Sequence, residues 1–254
     1  MLDGRDARTA PPSLNGQANH SDATRAWADR WLSAERLAPH LADCNGSVDR
    51  ALELYEWNVR LGQVLMRDIS HFEVALRNAY DRVMNEAWEG CWLLDDASPA
   101  RTPVMRKSKR ETLDANRINR KTIDAVVDRL PPDASTGAIV TNLTLGFWVH
   151  FSDRSREAAI WRTALYRAWP KGTDRQKLQP RLEGTLRVRN RVAHAERLFD
   201  PSSSKLSPLR ADANAVEPLR DLYPEAPEHL YRNGEPTPVE LFCKENPASA
   251  DVRL

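Results

Sequence analysis

From Ser47 or Asp49 to about Glu89 this chain sets one apolar residue after another at steps of three and four: Leu61, Leu65, Ile69, Phe72, Leu76, Ala79 and Val83. That spacing returns each side chain to the same face of an α-helix. Ser47 or Asp49 suits the start, because a short side-chain oxygen can accept one of the unpaired first-turn amides. A long helix with one apolar face is stable only when other helices cover that face, so the segment predicts a bundle.

The flanking sequence is read the same way. Between Ala23 and Ala42, Trp27, Trp31, Leu37 and Leu41 recur at helical spacing, and Asn45-Gly46 stops the pattern, giving one or two N-terminal helices. Gly90, Asp95-Asp96, Pro99 and Pro103 mark a loop. The basic stretch Arg106, Lys107, Lys109 and Arg110 then leads into a helical region closing at Pro131-Pro132. Helices are expected from Thr136 to about Ser152 and from Arg154 to Trp169, and a last one opens near Pro180, which a first turn tolerates. After Phe199, Asp200-Pro201 and three serines read as a linker, and Pro208, Pro218, Pro224, Pro227, Pro236, Pro238 and Pro247 leave room only for short helices. No alternating run predicts a sheet. The expected class is all-α, with a disordered tail over 1–22, a helical domain over 23–199 and an irregular proline-rich extension over 200–254.

Composition narrows the function. The 37 basic and 36 acidic residues nearly cancel, so any nucleic-acid contact must rest on a local patch. Cys44, Cys91 and Cys243 are widely spaced and odd in number, forming neither a metal-ligand spacing nor a disulfide framework, which fits a reducing cytoplasm. The first twenty residues, with Asp3, Arg5, Asp6, Arg8, Pro11 and Pro12, lack the apolar core of a secretory signal. Ala138–Phe151, the most apolar stretch, is too short to span a bilayer, so no membrane association is expected. His20, His40, His71, His150 and His229 show no metal spacing and no glycine loop cradles a phosphate, so neither metal nor cofactor is expected.

The chemistry concentrates in LQPRLEGTLRVRNRVAHAERLF, Leu178 to Phe199. At about 100° per residue, Leu178, Leu182, Leu186 and Ala193 share one face, and Arg189 falls among them. A guanidinium on an apolar stripe costs several kcal/mol unless it is paired or opens into a cavity. Asn190 and His194, four apart, are neighbours, while Arg189 and His194 diverge by about 140°. The three form a saddle around one edge of the helix, a shape that suits a phosphate.

RNRVAH, in this position on a last bundle helix, resembles the motif of HEPN-domain RNases. With HFEVALRNAYDRV (His71–Val83), TLGFWVHF (Thr144–Phe151) and IWRTALYRAWP (Ile160–Pro170), the chain resembles the Abi-like abortive-infection proteins from Ala23 to Phe199. The resemblance implies a HEPN-like bundle with added N-terminal helices. It also implies a metal-independent, cofactor-free endoribonuclease in which a ribose 2′-hydroxyl attacks the adjacent phosphate, leaving a 2′,3′-cyclic phosphate and a 5′-hydroxyl. His194 would exchange the proton, Arg189 would balance charge on the phosphorane and Asn190 would orient substrate or imidazole. The implied setting is a growth-arresting toxin in phage defence, with RNA as substrate, a homodimer completing the site and an antitoxin as a possible partner. The family's second histidine and Glu-Pro are replaced here by Ala195, Glu196 and Arg197.

On the long helix, Glu73, Arg77 and Tyr80 lie beside the apolar stripe as supporting or substrate-binding residues, with Glu73 the expected counter-ion of Arg189; Asn78 points elsewhere on the wheel. Three milder readings stand beside the catalytic one. The motif helix is a non-catalytic module for RNA, a nucleotide or a protein; Arg189 and Glu73 are a structural ion pair; and the basic run, with Arg117, Arg120 and Lys121, is a solvated face. Phe147, Trp148, Phe151, Trp161 and Trp169 are read as core.

Overall fold

The computed structural model describes residues 14–107, 112–200, 206–232 and 234–252, with side chains described from Asp22 onward. The expected tail over 1–13, Lys109 and Arg110 of the basic run, and Pro201 with its serines lie outside these residues.

Among the described residues, ten α-helices make the body of the fold. Helix α1 (Leu14–Leu32) opens inside the stretch expected as a tail, and α2 (Ala34–Asp43) follows after Ser33, whose hydroxyl accepts from Arg36 N. Asn45 and Gly46 take positive φ, 53° and 80°, and end this unit where the sequence placed its stop. The expected long helix is α3 (Val48–Ala87), 40 residues, and its stripe from Leu54 through Leu61, Leu65, Ile69, Phe72, Leu76 and Val83 is fully buried. These residues belong to the main cluster of buried apolar side chains.

Two segments depart from the helical expectation. Arg106 and Lys107 of the basic stretch lie in a short strand, β1 (Met105–Lys107), paired antiparallel with β2 (Thr112–Asp114), with Arg106 opposite Leu113. Helices α4 (Arg117–Val127), α5 (Thr136–Asn142) and α6 (Leu145–Phe151) follow. Arg154–Trp169 is then not one helix but a 3-10 turn (Arg154–Arg156), a wide π turn (Glu157–Trp161) and a second 3-10 turn (Leu165–Ala168). Arg156 explains the break. Its guanidinium is 4% exposed and donates to Asn116 Oδ1 (3.1 Å), Asn119 Oδ1 (3.2 Å) and the His150 carbonyl (2.8 Å), and it pairs with Asp153. A buried charge needs this many partners, and turning the chain around it is how they are assembled.

Helix α7 (Arg175–Ala193) begins a turn and a half before the expected start, capped by Asp174, which accepts from Gln176 N at 2.8 Å; Pro180 sits in its second turn. Beyond it α8 (Pro208–Leu222), α9 (Glu225–Tyr231) and α10 (Pro238–Glu245) form no loose extension. Helix α8 has 15 residues and lies along α3, and α10 packs on α3 beside it. Pro208 and Pro238 occupy first-turn positions, where a missing N–H leaves no hydrogen bond unmade. The five expected core aromatics, Phe147, Trp148, Phe151, Trp161 and Trp169, are all buried. No described helix is long and apolar enough to cross a membrane, and the described residues hold no cluster of three or more metal-ligating side chains.

Candidate active site

Helix α7 ends at Ala193, so the motif histidine is the C-cap rather than a mid-helix residue. Ala195 N donates to Val192 O (3.0 Å) and Glu196 N to Arg191 O (2.8 Å), with Ala195 at φ 49°. These bonds close a Schellman motif whose left-handed position is ordinarily glycine. An alanine there carries a cost of about 1 kcal/mol.

The turn is held from outside as well. Arg36 of α2 donates through Nη1 to the carbonyls of both His194 and Ala195, each at 2.8 Å, placing a cation at the negative end of α7. Asn58 of α3 is 2% exposed; its Nδ2 donates to Glu196 O (3.0 Å) and its Oδ1 accepts from Leu198 N (2.8 Å). Arg197 pairs with Asp43 at 2.7 Å and stacks over Phe199 at 5.4 Å, and Arg191 donates to Arg197 O at 2.8 Å. His40, buried against Tyr55 and Phe199, has its pKa lowered by desolvation and adds an uncharged wall. The backbone carrying His194 is thus fixed while its imidazole stays exposed to solvent.

Leu178 and Leu182 are buried as expected, but Ala193, expected on the same apolar face, is exposed, and Thr185 and Val188 are buried in its place. Asn190 is exposed beside His194, and Arg189 is half-buried on the other side of α7. Arg189 Nε is buried and has no hydrogen-bond partner among the described residues, and Arg77 Nε on α3 is in the same condition. Neither arginine, nor Glu73, takes part in any ion pair among the described residues. The expected Glu73–Arg189 pair is therefore corrected, and helix register explains why. The two helices run antiparallel, with Val192 and Leu198 against Gly62 and the Arg175 end of α7 bonded to Ser152, which Tyr80 also contacts. At 1.5 Å per residue, Glu73 lies about 12 Å along the axis from Arg189.

Tyr80 is fully buried, its hydroxyl shared with Ser152 Oγ (2.5 Å) and accepting from Trp169 Nε1 (3.1 Å); burial drives its pKa upward. It holds the bundle and cannot touch a ligand without opening it. Sequence reasoning missed Arg36, Asn58 and Asp43, which position the motif. Asn58 alone had a legible signal, a polar residue between Leu54, Leu61 and Leu65 on the apolar stripe of α3.

A family model described as "Abi-like protein" matches residues 36–200, well over half of the chain. The chain belongs to the Abi-like protein family. No curated protein and no solved structure matches it. The matched span of this Abi-like chain runs from Arg36, which grips the end of α7, to Asp200, just past the pinned turn, and so contains the whole motif and its supports. The C-terminal helices α8, α9 and α10 lie outside it.

Proposed function

We propose that this protein is a metal-independent endoribonuclease of the HEPN type, acting as a growth-arresting toxin in abortive infection. The observation that carries the reading is a half-buried guanidinium with an unspent donor, Arg189, five residues before an exposed imidazole, His194, on a helix end bonded in place from α2 and α3. A buried donor without a partner costs roughly 1–3 kcal/mol, and binding a phosphate oxygen is a use that offsets it.

In the reaction the ribose 2′-oxygen bonds to phosphorus as the bond from phosphorus to the 5′-oxygen breaks. His194 takes the 2′-hydroxyl proton, and the leaving 5′-oxygen needs a proton from a second acid. One imidazole cannot reach both ends of an in-line displacement, so a two-fold dimer, with the partner subunit's His194 opposite, completes the site. Arg189 neutralises the phosphorane through its forked donors, and Asn190 orients the substrate.

The test is incubation of purified protein with RNA in excess chelator, followed by end-group analysis. Wild type yields 2′,3′-cyclic phosphate ends, and His194→Ala lowers the rate about 10²–10⁴-fold. Cleavage unaffected by His194→Ala refutes the assignment; tight RNA binding by an intact wild type without any cleavage makes the helix a recognition module instead.

A further inference from the structure

Numbering around α7 from Arg187 at about 100° per residue, Asn190, Arg191 and His194 all fall within about 60° of it, whereas Arg189 lies on the opposite side. This polar face borders a groove between α7 and α8 with a volume of about 440 Å³. Its walls carry four arginines, Arg181, Arg187 and Arg191 from α7 and Arg210 from α8, and among the described residues no acidic one lines it. The floor is where the helices come closest: Gly184 has no side chain because Asn214 Nδ2 occupies that space, 2.9 Å from where a Cβ would stand, and Thr185 Oγ1 donates to Asn214 O at 2.9 Å. Arg181 pairs with Glu217, and Arg191 lies 3.5 Å from Glu196. Arg187 and Arg210 are exposed and belong to no ion pair among the described residues.

We propose that this groove binds consecutive phosphates of a single RNA strand and delivers the next linkage to His194 at its end. The assignment rests on the nuclease reading for the role of His194, and on the groove itself for the ligand. Like charges crowded along one wall repel unless a polyanion lies between them, and arginine's planar fork suits phosphate oxygens. From Arg181 to Arg191 the wall extends about 15 Å along the helix, room for more than one phosphate. The opposite wall, Arg210, stands on α8, outside the family match, which gives the C-terminal helices a part in substrate recognition.

The experiment measures binding of a fluorescent single-stranded RNA to full-length protein in the His194→Ala background across a salt series. Adding Arg187→Ala and Arg210→Ala together weakens binding at least about 10-fold and lowers the slope of log affinity against log salt by about 1.4, two phosphate contacts on a single strand. The control pair Arg82→Ala and Arg162→Ala, exposed arginines that line no part of the groove, leaves both quantities unchanged, and all melting temperatures agree. Equal affinity and slope in groove and control variants overturn the proposal, as does absence of RNA binding. If groove-dependent binding is found but protein with His194 intact never cuts RNA, the groove stands and the nuclease reading falls. If groove variants with His194 intact cut with unchanged KM and kcat, the nuclease stands and the groove falls.

Discussion

Asp212→Asn is expected to stabilise this protein at alkaline pH while leaving it almost unchanged in acid. Asp212 of α8 is 4% exposed and Asp68 of α3 is 1% exposed, and they meet where the C-terminal helices dock. Each carboxyl has one oxygen bonded: Thr237 Oγ1 donates to Asp212 Oδ2 at 2.7 Å, while Tyr231 Oη and Arg67 Nη1 donate to Asp68 Oδ1 at 2.9 and 2.8 Å. The other oxygens, Asp68 Oδ2 and Asp212 Oδ1, have no donor among the described residues, and a proton kept by Asp212 is expected to be shared between the two carboxyls. Burial first, then the like charge of Asp68 and the more distant Glu240, push the pKa of Asp212 from 3.8 up to about 7. Cys243 nearby, pushed up to about 11 by burial and by Asp212, stays a neutral thiol through this range.

The sign follows from proton counting. Between pH 4 and pH 7 the folded chain keeps a proton that the unfolded chain has lost, so stability is greatest at the acid end and falls as pH rises, by about 1.4 kcal/mol per unit, levelling off above 7. Across the whole window this is on the order of 4 kcal/mol, a large part of the 5–15 kcal/mol that holds a typical domain together. Asparagine keeps the shape and the acceptor for Thr237, carries no charge and donates to Asp68. Urea melts followed by tryptophan fluorescence at pH 5, 6, 7 and 8 should show wild type weakening relative to Asp212→Asn by at least about 2 kcal/mol between pH 5 and 7. Parallel stability curves for the two proteins, or a variant less stable than wild type at pH 8, refute the shared proton.

Two further substitutions probe the supports of the site. Arg156→Ala leaves Asn116, Asn119, Asp153 and the His150 carbonyl without their common donor and is expected to cost about 3–5 kcal/mol, read as a drop in urea midpoint. Ala195→Gly relieves the left-handed backbone after His194 and is expected to raise stability by about 0.5–1 kcal/mol, measured as a higher melting temperature with unchanged RNA cleavage.

What could be read in advance follows physical lines. Helix α3 was legible because one period runs through an apolar face that stays buried over its whole length. The strand pair was not, because β1 is three residues long and exposed throughout, leaving no alternation to find. Arg154–Trp169 carries apolar residues in roughly helical spacing, but Arg156 gathers partners from two separate segments, 115–119 and 150–153, and only the folded chain shows them converging. In the sequence the prolines after Phe199 read as breakers; at Pro208 and Pro238 they start helices instead. For the motif, the sequence placed Arg189 and His194 on diverging faces of α7 and the structure keeps them so. It did not reveal that the helix ends at the histidine.

That ending bears on how the two residues can act together. The Leu186 methyls on the Arg189 side of α7 approach α6, 3.8 Å from where a Cβ on Gly146 would stand, while the exposed His194 falls on the wheel beside Arg187 and Arg191. A helix pinned by Arg36 and Asn58 has little freedom to rotate one face toward the other. Whatever brings guanidinium and imidazole onto one phosphate must therefore come from outside the helix, as a strand of RNA wrapping its end or a second copy presenting its own motif. Wrapping makes activity first order in protein down to the lowest concentrations, whereas pairing makes specific activity fall on dilution through the dimer dissociation constant. Mixing wild type with an excess of His194→Ala separates the two: a paired site that needs an imidazole from each chain loses activity per wild-type chain, because mixed dimers hold only one, and a site completed within one chain loses none.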